Sequence, residues 1–295
     1  MRHIIAADVG GTNIRVGVVD EHFALHDFQM VSTADMCASG SFINSFTSFL
    51  ESYARDKNAD GFSIGFPSTI DKGRRILLST PNIPGLNQIP IADILEHHLK
   101  KPVCIEKDVN NLLISDMERL SIDSNSISLG FYIGTGLGNA LFLGGRPYYG
   151  THGAAGELGH IPMRGKTELC TCGNRGCSEN YASGKGLHRI HHEHFPQTSL
   201  DDLFIKHGTD NTIIEFIDDL ALIIASEINI LDPEFVIIGG GIAQMNGFPY
   251  KSLQNGIYKY TRKPYPACGV IVYNSPGDQS SGVAGAGITG FKSLY

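Results

Sequence analysis

The chain has 295 residues, more than one hydrophobic core usually sustains, so two compact units are expected. Hydrophobic residues at 42% and charged residues at 18% exclude a disordered chain, and 23 basic against 30 acidic residues, with no Lys/Arg cluster, exclude a surface built to neutralise nucleic-acid phosphates. The apolar run Ile4 to Ala7 is too short for a signal peptide and no later run reaches membrane-spanning length, so a cytoplasmic protein with no membrane partner is expected.

Runs 4–7 and 14–19 are β-rich and flank Asp8-Val9-Gly10-Gly11-Thr12, which predicts a hairpin with a glycine turn. Phe42, Ile43, Phe46, Phe49, Leu50 and Tyr53 recur at three and four and predict an amphipathic helix over 42–54, with a buried strand at 62–65 after it. A strand at 76–78, a helix over 91–99 that stops before Pro102, and a strand at 103–106 follow, so Asp108 falls just past a strand end. A helix over 109–117 leads to strands at 126–133 and 139–143 around a second glycine turn, Gly134-Thr135-Gly136-Leu137-Gly138. This return of strand, glycine turn and strand points to a duplicated architecture. The apolar face Ile213, Phe216, Ile217, Leu220, Ile224, Ile228 predicts a helix over 213–231 that ends at Asp232-Pro233. A strand at 235–238 closes on Gly239-Gly240-Gly241, then come a strand at 270–273 and a small-residue helix over 282–291. Strands and helices alternate throughout, the pattern of an α/β fold.

Glycines directly after a strand let backbone N–H groups reach phosphate oxygens, and this chain has three such turns: Gly10-Gly11, Gly134 to Gly138, and Gly239 to Gly241. A single pair reads as a plain hairpin turn; three together favour a phosphate ligand. Asp8 and Thr12 flank the first turn, where a carboxylate can hold water on Mg²⁺ and a hydroxyl can meet phosphate, or both can simply cap the turn. Cys170, Cys172 and Cys177 lie within eight residues on a loop and fit Zn²⁺, with His160 the nearest histidine on the N-terminal side as fourth ligand. Four protein ligands would saturate the ion and make it structural; the alternative is three unligated thiols. Such a loop would gather Glu157, His160 and Glu179 into a polar ring suited to sugar hydroxyls.

These residues resemble the ROK family of sugar kinases and related repressors, over a stretch from Asp8 to Gly287. The resemblance rests on the three glycine motifs, on His152-Gly153-Ala154-Ala155-Gly156-Glu157-Leu158-Gly159-His160, and on the run from Cys170 to Glu179. It implies a two-lobed, actin-like and ribonuclease H-like ATPase fold with nucleotide and sugar in the interdomain cleft. The expected division is a smaller domain, 1–112, on which a helix at 282–295 packs, and a larger domain, 113–281, carrying the zinc loop. The resemblance further implies ATP-dependent phosphorylation of a free hexose at its 6-hydroxyl, with Asp108 as the base. Asn82, Asp108, Glu157, His160 and Glu179 would bind the sugar. Asp8, Gly10, Gly11, Thr12, Gly134, Thr135, Gly136, Gly138, Gly239, Gly240 and Gly241 would bind ATP and its Mg²⁺, and His160, Cys170, Cys172 and Cys177 would hold Zn²⁺. A homodimer is expected on the same ground.

Two positions depart from the family pattern: Lys107 stands where Asn often precedes the catalytic Asp, and Ser68 where Gly often follows Gly-x-Pro. Lysine cannot accept a hydrogen bond as asparagine can, which turns the expected substrate away from glucose; among kinases of the family the resemblance points to D-allose. Glucose and N-acetylmannosamine kinases of the family are the alternatives. A sugar-responsive regulator would need a helix-turn-helix ahead of the first glycine motif, for which seven residues leave no room. A zinc hydrolase using Glu157 would need an open coordination position that four ligands deny it.

Overall fold

The computed structural model describes residues 2–38, 40–81 and 83–295. β1 (His3–Val9) and β2 (Asn13–Asp20) pair antiparallel, as two apolar runs joined by a glycine turn should, and β2 pairs antiparallel with β3 (Leu25–Ser32). The chain then makes a short α1 (Thr33–Cys37) and α2 (Phe42–Ala54), whose buried stripe of Phe42, Phe46, Leu50 and Tyr53 matches the three-and-four spacing of the sequence. β4 (Gly61–Phe66) adds parallel to β1, and a small hairpin of β5 (Thr69–Ile70) and β6 (Leu77–Ser79) follows. After α3 (Ile91–Leu99), β7 (Val103–Lys107) adds parallel to β4 and runs directly into α4 (Asp108–Arg119). The first sheet therefore has the order β3-β2-β1-β4-β7.

The second half repeats this plan. β8 (Ser128–Ile133), β9 (Leu137–Leu143) and β10 (Arg146–Pro147) form an antiparallel meander. Then come α5 (Gly184–His194), α6 (Leu203–His207) and α7 (Asn211–Leu231). β11 (Phe235–Gly239) adds parallel to β8, α8 (Tyr250–Tyr260) crosses over, and β12 (Ile271–Asn274) adds parallel to β11. The order β10-β9-β8-β11-β12 is the first sheet's order again, so the duplication indicated by two glycine hairpins extends to all five strands. Glycine residues make the tight end of this sheet possible: Gly240 has φ of 93°, and a Cβ there would sit 2.5 Å from the Ile133 backbone nitrogen.

The chain divides into two units, one formed by Met1–Ile122, Tyr149–Ala155 and Gly277–Tyr295, the other by Asp123–Tyr148 and Gly156–Pro276. They are of nearly equal length, unlike the small and large domains expected. The expected boundary at 112/113 falls inside α4, which stays whole because Leu113, Ile114 and Met117 are buried in the first unit. The strand expected from 126 begins at 128, because Ser126 still belongs to the preceding turn, its backbone N–H and its hydroxyl donating to Asp123 O at 3.0 and 2.7 Å. Among the described residues, no helix is long and apolar enough to cross a membrane.

The last helix, α9 (Ser281–Leu294), packs in the first unit against β1, β2, β4 and α4. Helical glycine costs about 1 kcal/mol each relative to alanine, so Gly282, Gly285, Gly287 and Gly290 are a poor helix in isolation. Their compensation is close approach: a Cβ on Gly285 would lie 1.8 Å from the Asn111 carbonyl oxygen, and one on Gly287 2.4 Å from Val19. Thr289 then donates to Asn111 Oδ1 at 2.8 Å. Gly285→Ala is expected to destabilise the protein by about 3 kcal/mol, the upper end of overpacking costs, despite its better helix propensity. Chemical denaturation of the two proteins measures this, and an unchanged midpoint would show that α9 does not seat so closely.

Candidate functional site

In the first sheet, β1, β4 and β7 run parallel, and Asp8, Gly65 and Glu106 lie side by side across them. The loops leaving these three strands therefore share one edge. The loop after β1 is the turn Gly10-Gly11-Thr12, braced by Gly10 N donating to Asn13 O at 2.9 Å and by the Thr33 hydroxyl donating to Gly10 O at 2.7 Å. Asp8 itself is the penultimate strand residue, 3.4 Å from Arg15 Nη1 across the hairpin. Burial pushes its carboxyl above the usual range, and Arg15 offsets part of that rise. A Cβ on Gly282 of α9 would lie 2.5 Å from the Asp8 carboxyl carbon, so only glycine leaves this acid its place.

Asp108 opens α4 at the end of β7, where helix N-terminal N–H groups favour a negative charge, and its Oδ1 accepts from Val109 N at 2.8 Å. Two residues earlier stands an acid that the sequence reading missed. Glu106 is 2% exposed, and its Oε1 accepts from the Arg74 guanidinium, from Lys107 N at 2.7 Å and from Asn110 Nδ2 at 2.9 Å. Its Oε2 accepts from the Tyr149 hydroxyl at 2.7 Å. A charged residue interrupting the buried run Val103-Cys104-Ile105 was the available signal, since a carboxylate there must find partners. Asn82 lies outside the described residues, but its neighbour Thr80 is held by Ser68, the two hydroxyls 2.5 Å apart and both buried.

In the second unit the turn after β8 and the turn after β11 lie next to each other, because Gly239 pairs with Tyr132 and Ile242 N donates to Ile133 O at 2.9 Å. Gly138, expected in the turn, lies inside β9 opposite Tyr132, where its backbone belongs to the strand ladder; the open turn is Gly134 to Gly136. A Cβ at Gly134 or Gly241 would meet nothing within 4 Å, which leaves the backbone there open to a phosphate-sized group. The start of α5 is fastened to the same turn by Gly184 N to Gly134 O at 2.8 Å and Lys185 N to Thr135 O at 3.1 Å. Glu179 leans against it too: its Oε2 accepts from Leu137 N at 3.3 Å and its Oε1 from Lys185 Nζ at 2.5 Å.

His160, Cys170, Cys172 and Cys177 come together with their ligand atoms all within 4.8 Å of one another. Cys170 Sγ is 3.6 Å from His160 Nδ1, and Cys172 Sγ is 3.6 Å from Cys177 Sγ. Tetrahedral zinc with bonds of about 2.3 Å puts its ligands about 3.8 Å apart, so the donor set and spacing fit that ion. Burial raises the Cys170 thiol, but hydrogen bonds from Cys172, Cys177 and His160 outweigh it and bring the group to about 7. Burial and the neighbouring sulfurs push Cys177 up to about 12. His160 turns its other nitrogen to Glu157, 3.7 Å away, an arrangement that orients a ligating imidazole.

Beneath Gly156 and Glu157 lies a second acid absent from the sequence reading. Glu227 of α7 is buried and its Oε2 accepts from Asn139 Nδ2 at 2.8 Å, while a Cβ on Gly156 would lie 2.6 Å from the Asn139 carbonyl oxygen. Burial raises the Glu227 carboxyl from 4.5 to about 7, with the Asn139 hydrogen bond opposing the rise. With the folded value above the unfolded one, stability tied to this proton is complete below the unfolded pKa and is lost as pH rises through about 7. A glutamine would carry no charge and could donate to Asn139 Oδ1, which is buried without a partner. Glu227→Gln is therefore expected to melt higher than the parent at about pH 8, with the gap closing by about pH 5; scanning calorimetry at both values checks this, and a gap independent of pH would contradict it.

The ROK family model matches residues 4–289. The glucokinase of Thermotoga maritima is 26% identical over 305 residues, covering 96% of this chain and 95% of that protein. The N-acetyl-D-glucosamine kinase of Pectobacterium carotovorum is 27% identical over 260 residues, covering 81% of this chain and 84% of its own length. Among solved structures, a ROK family glucokinase from Streptomyces griseus in complex with glucose and AMPPNP superposes with a TM-score of 0.81 at 24% identity, covering 97% of this chain and 98% of that one. The mixed α/β fold in two units is thus shared with ROK sugar kinases, and the chain belongs to the ROK family.

Proposed function

We propose that this protein is an ATP-dependent sugar kinase that transfers a phosphoryl group to the 6-hydroxyl of a free hexose, with Asp108 as general base. The observation that carries this reading is the shared edge of the first sheet. A carboxylate at the head of α4 and a glycine turn able to receive phosphate leave the same edge of the sheet, from β7 and β1, the two parallel strands that flank β4. Named relatives that act on glucose and on N-acetyl-D-glucosamine support the substrate class.

Phosphoryl transfer asks a protein chiefly for alignment and charge stabilisation. The turns at Gly10-Gly11, Gly134 to Gly136 and Gly239 to Gly241 would receive the phosphates on backbone N–H groups other than those of Gly10 and Gly134, which brace their turns by donating to Asn13 O and Gly136 O, and Asp8 would hold the Mg²⁺ that neutralises the charge. Asp108 would accept the proton of the attacking hydroxyl as the new O–P bond forms and ADP leaves. Glu157, His160 and Glu179 would orient the sugar, and zinc on His160, Cys170, Cys172 and Cys177 would fix the loop that carries them. Within the hexoses we favour D-allose, from Lys107 beside the base and from Ser68, whose hydroxyl is committed to Thr80. Glucose and the N-acetylated hexosamines are the competing acceptors.

Asp108→Ala is expected to lower kcat by about 10²–10⁴-fold with sugar affinity much less changed, because the base acts in the transition state. Coupled ADP release with allose, glucose, mannose, N-acetylglucosamine and N-acetylmannosamine measures both turnover and preference; a variant with near-normal kcat defeats the assignment of the base. Purified protein is expected to carry about one zinc per chain, and Cys172→Ser to lose the metal and raise the sugar KM. Metal analysis beside steady-state kinetics tests this, and a metal-free variant with an unaltered KM would uncouple zinc from the sugar.

A further inference from the structure

Two of the bonds that Glu106 makes flank Asp108 in the chain. The carboxylate curls back to accept from Lys107 N, the peptide just before Asp108, and from Asn110, half a turn beyond it. At 2% exposure a carboxylate is costly to bury without a cation and full hydrogen bonding. Arg74 supplies the cation from the tip between β5 and β6. That tip is held by Asp71, which accepts from Gly73 N at 2.9 Å, Arg75 N at 2.7 Å and Ile76 N at 2.6 Å. Arg74 adopts φ of 57°, a left-handed backbone uncommon outside glycine, which persists only where the surroundings enforce it.

Tyr149 completes the arrangement. Its hydroxyl binds the second Glu106 oxygen, and its ring lies under the Arg74 guanidinium, 4.5 Å from carbon to ring centre. Burial and the adjacent Glu106 carboxylate push the phenol well above its ordinary pKa, so it is a hydrogen donor at any working pH. Tyr149 also begins the short segment Tyr149–Ala155 that belongs to the first unit and continues along the chain into Gly156 and Glu157. One buried carboxylate thus ties together a hairpin tip, the head of α4 and the chain entering the Gly156–His160 motif.

We propose that Arg74 and Tyr149 are positioning residues of the phosphoryl-transfer step: by fixing both oxygens of Glu106 they set the direction in which the Asp108 carboxylate points. This rests on Asp108 being the base. Both residues act on Asp108 through Glu106: a catalytic group must be held within about 0.5 Å of its productive place, and a misplacement of about 1 Å can cost about 100-fold in rate. The Tyr149 hydroxyl is the cleaner lever, since its loss leaves the Arg74–Glu106 ion pair and the fold in place.

Tyr149→Phe is expected to lower the single-turnover rate of phosphoryl transfer about tenfold, with KM for ATP and sugar within about twofold of the parent and the melting temperature nearly unchanged. Arg74→Met alone strands a buried carboxylate, so it is paired with Glu106→Gln; the neutral double variant is expected to fold with near-parental stability and to transfer phosphate about 100-fold more slowly. A parental transfer rate in folded Tyr149→Phe, or a change confined to sugar KM, overturns the proposal, as does a fully active double variant. Asp108→Ala run in parallel separates the two ideas. If it is inactive while Tyr149→Phe is normal, only the positioning role fails; if it keeps its turnover, the base itself was misassigned.

Discussion

Parallel pairing of β1, β4 and β7 is the constraint on which the rest of the structure depends. Strands that run the same way deliver their outgoing loops to one edge, where backbone N–H groups are no longer used by the sheet and are free to receive a ligand. The Asp8–Thr12 turn and Asp108 reach that edge because Asp8, Gly65 and Glu106 are locked in register. The second sheet applies the same rule, setting Gly134–Gly136 beside Gly239–Gly241 through the pairing of β8 with β11. Chemistry in this chain is therefore a property of topology first and of side chains second.

Electrostatics at these edges follows a common pattern. Asp8 is paired with Arg15, Glu106 with Arg74, and Glu179 with Lys185. On a chain with net charge -7, each pairing sets a cation beside a carboxylate at these edges. Each pairing keeps an acid available for hydrogen bonding or metal contact while cancelling its long-range field. Glu227, which has only an amide for company, is the contrast: burial raises its carboxyl to about 7.

Elements with strong periodicity were readable from the residues alone: α2, α3, α7 and the core strands lie within a residue or two of their expected bounds. β3 was not, because as an edge strand it exposes residues 26–30 and needs no apolar alternation. Nor were α5 and α8, which bury few large apolar side chains and whose helical form depends on what they pack against. The cysteine cluster with His160 was legible because ligand chemistry demands particular residues at short spacing. Glu106 and Glu227 were not, since a lone acid carries no pattern and its partners, Arg74, Tyr149 and Asn139, arrive from distant parts of the chain. For the same reason the return of Tyr149–Ala155 to the first unit could not be seen before the strands were assembled.

The placement of α9 has a consequence for biosynthesis. Ala6 and Val19 of the first sheet are covered by Val283 and Ala286 of that helix, which the ribosome makes only after the whole second unit. Until then the opening strands expose an apolar face with nothing to shield it, while the second unit already has all of its own chain. Vectorial synthesis thus reverses the written order: the later-encoded body can mature first, and the earlier one waits, exposed to chaperones, for its missing cover.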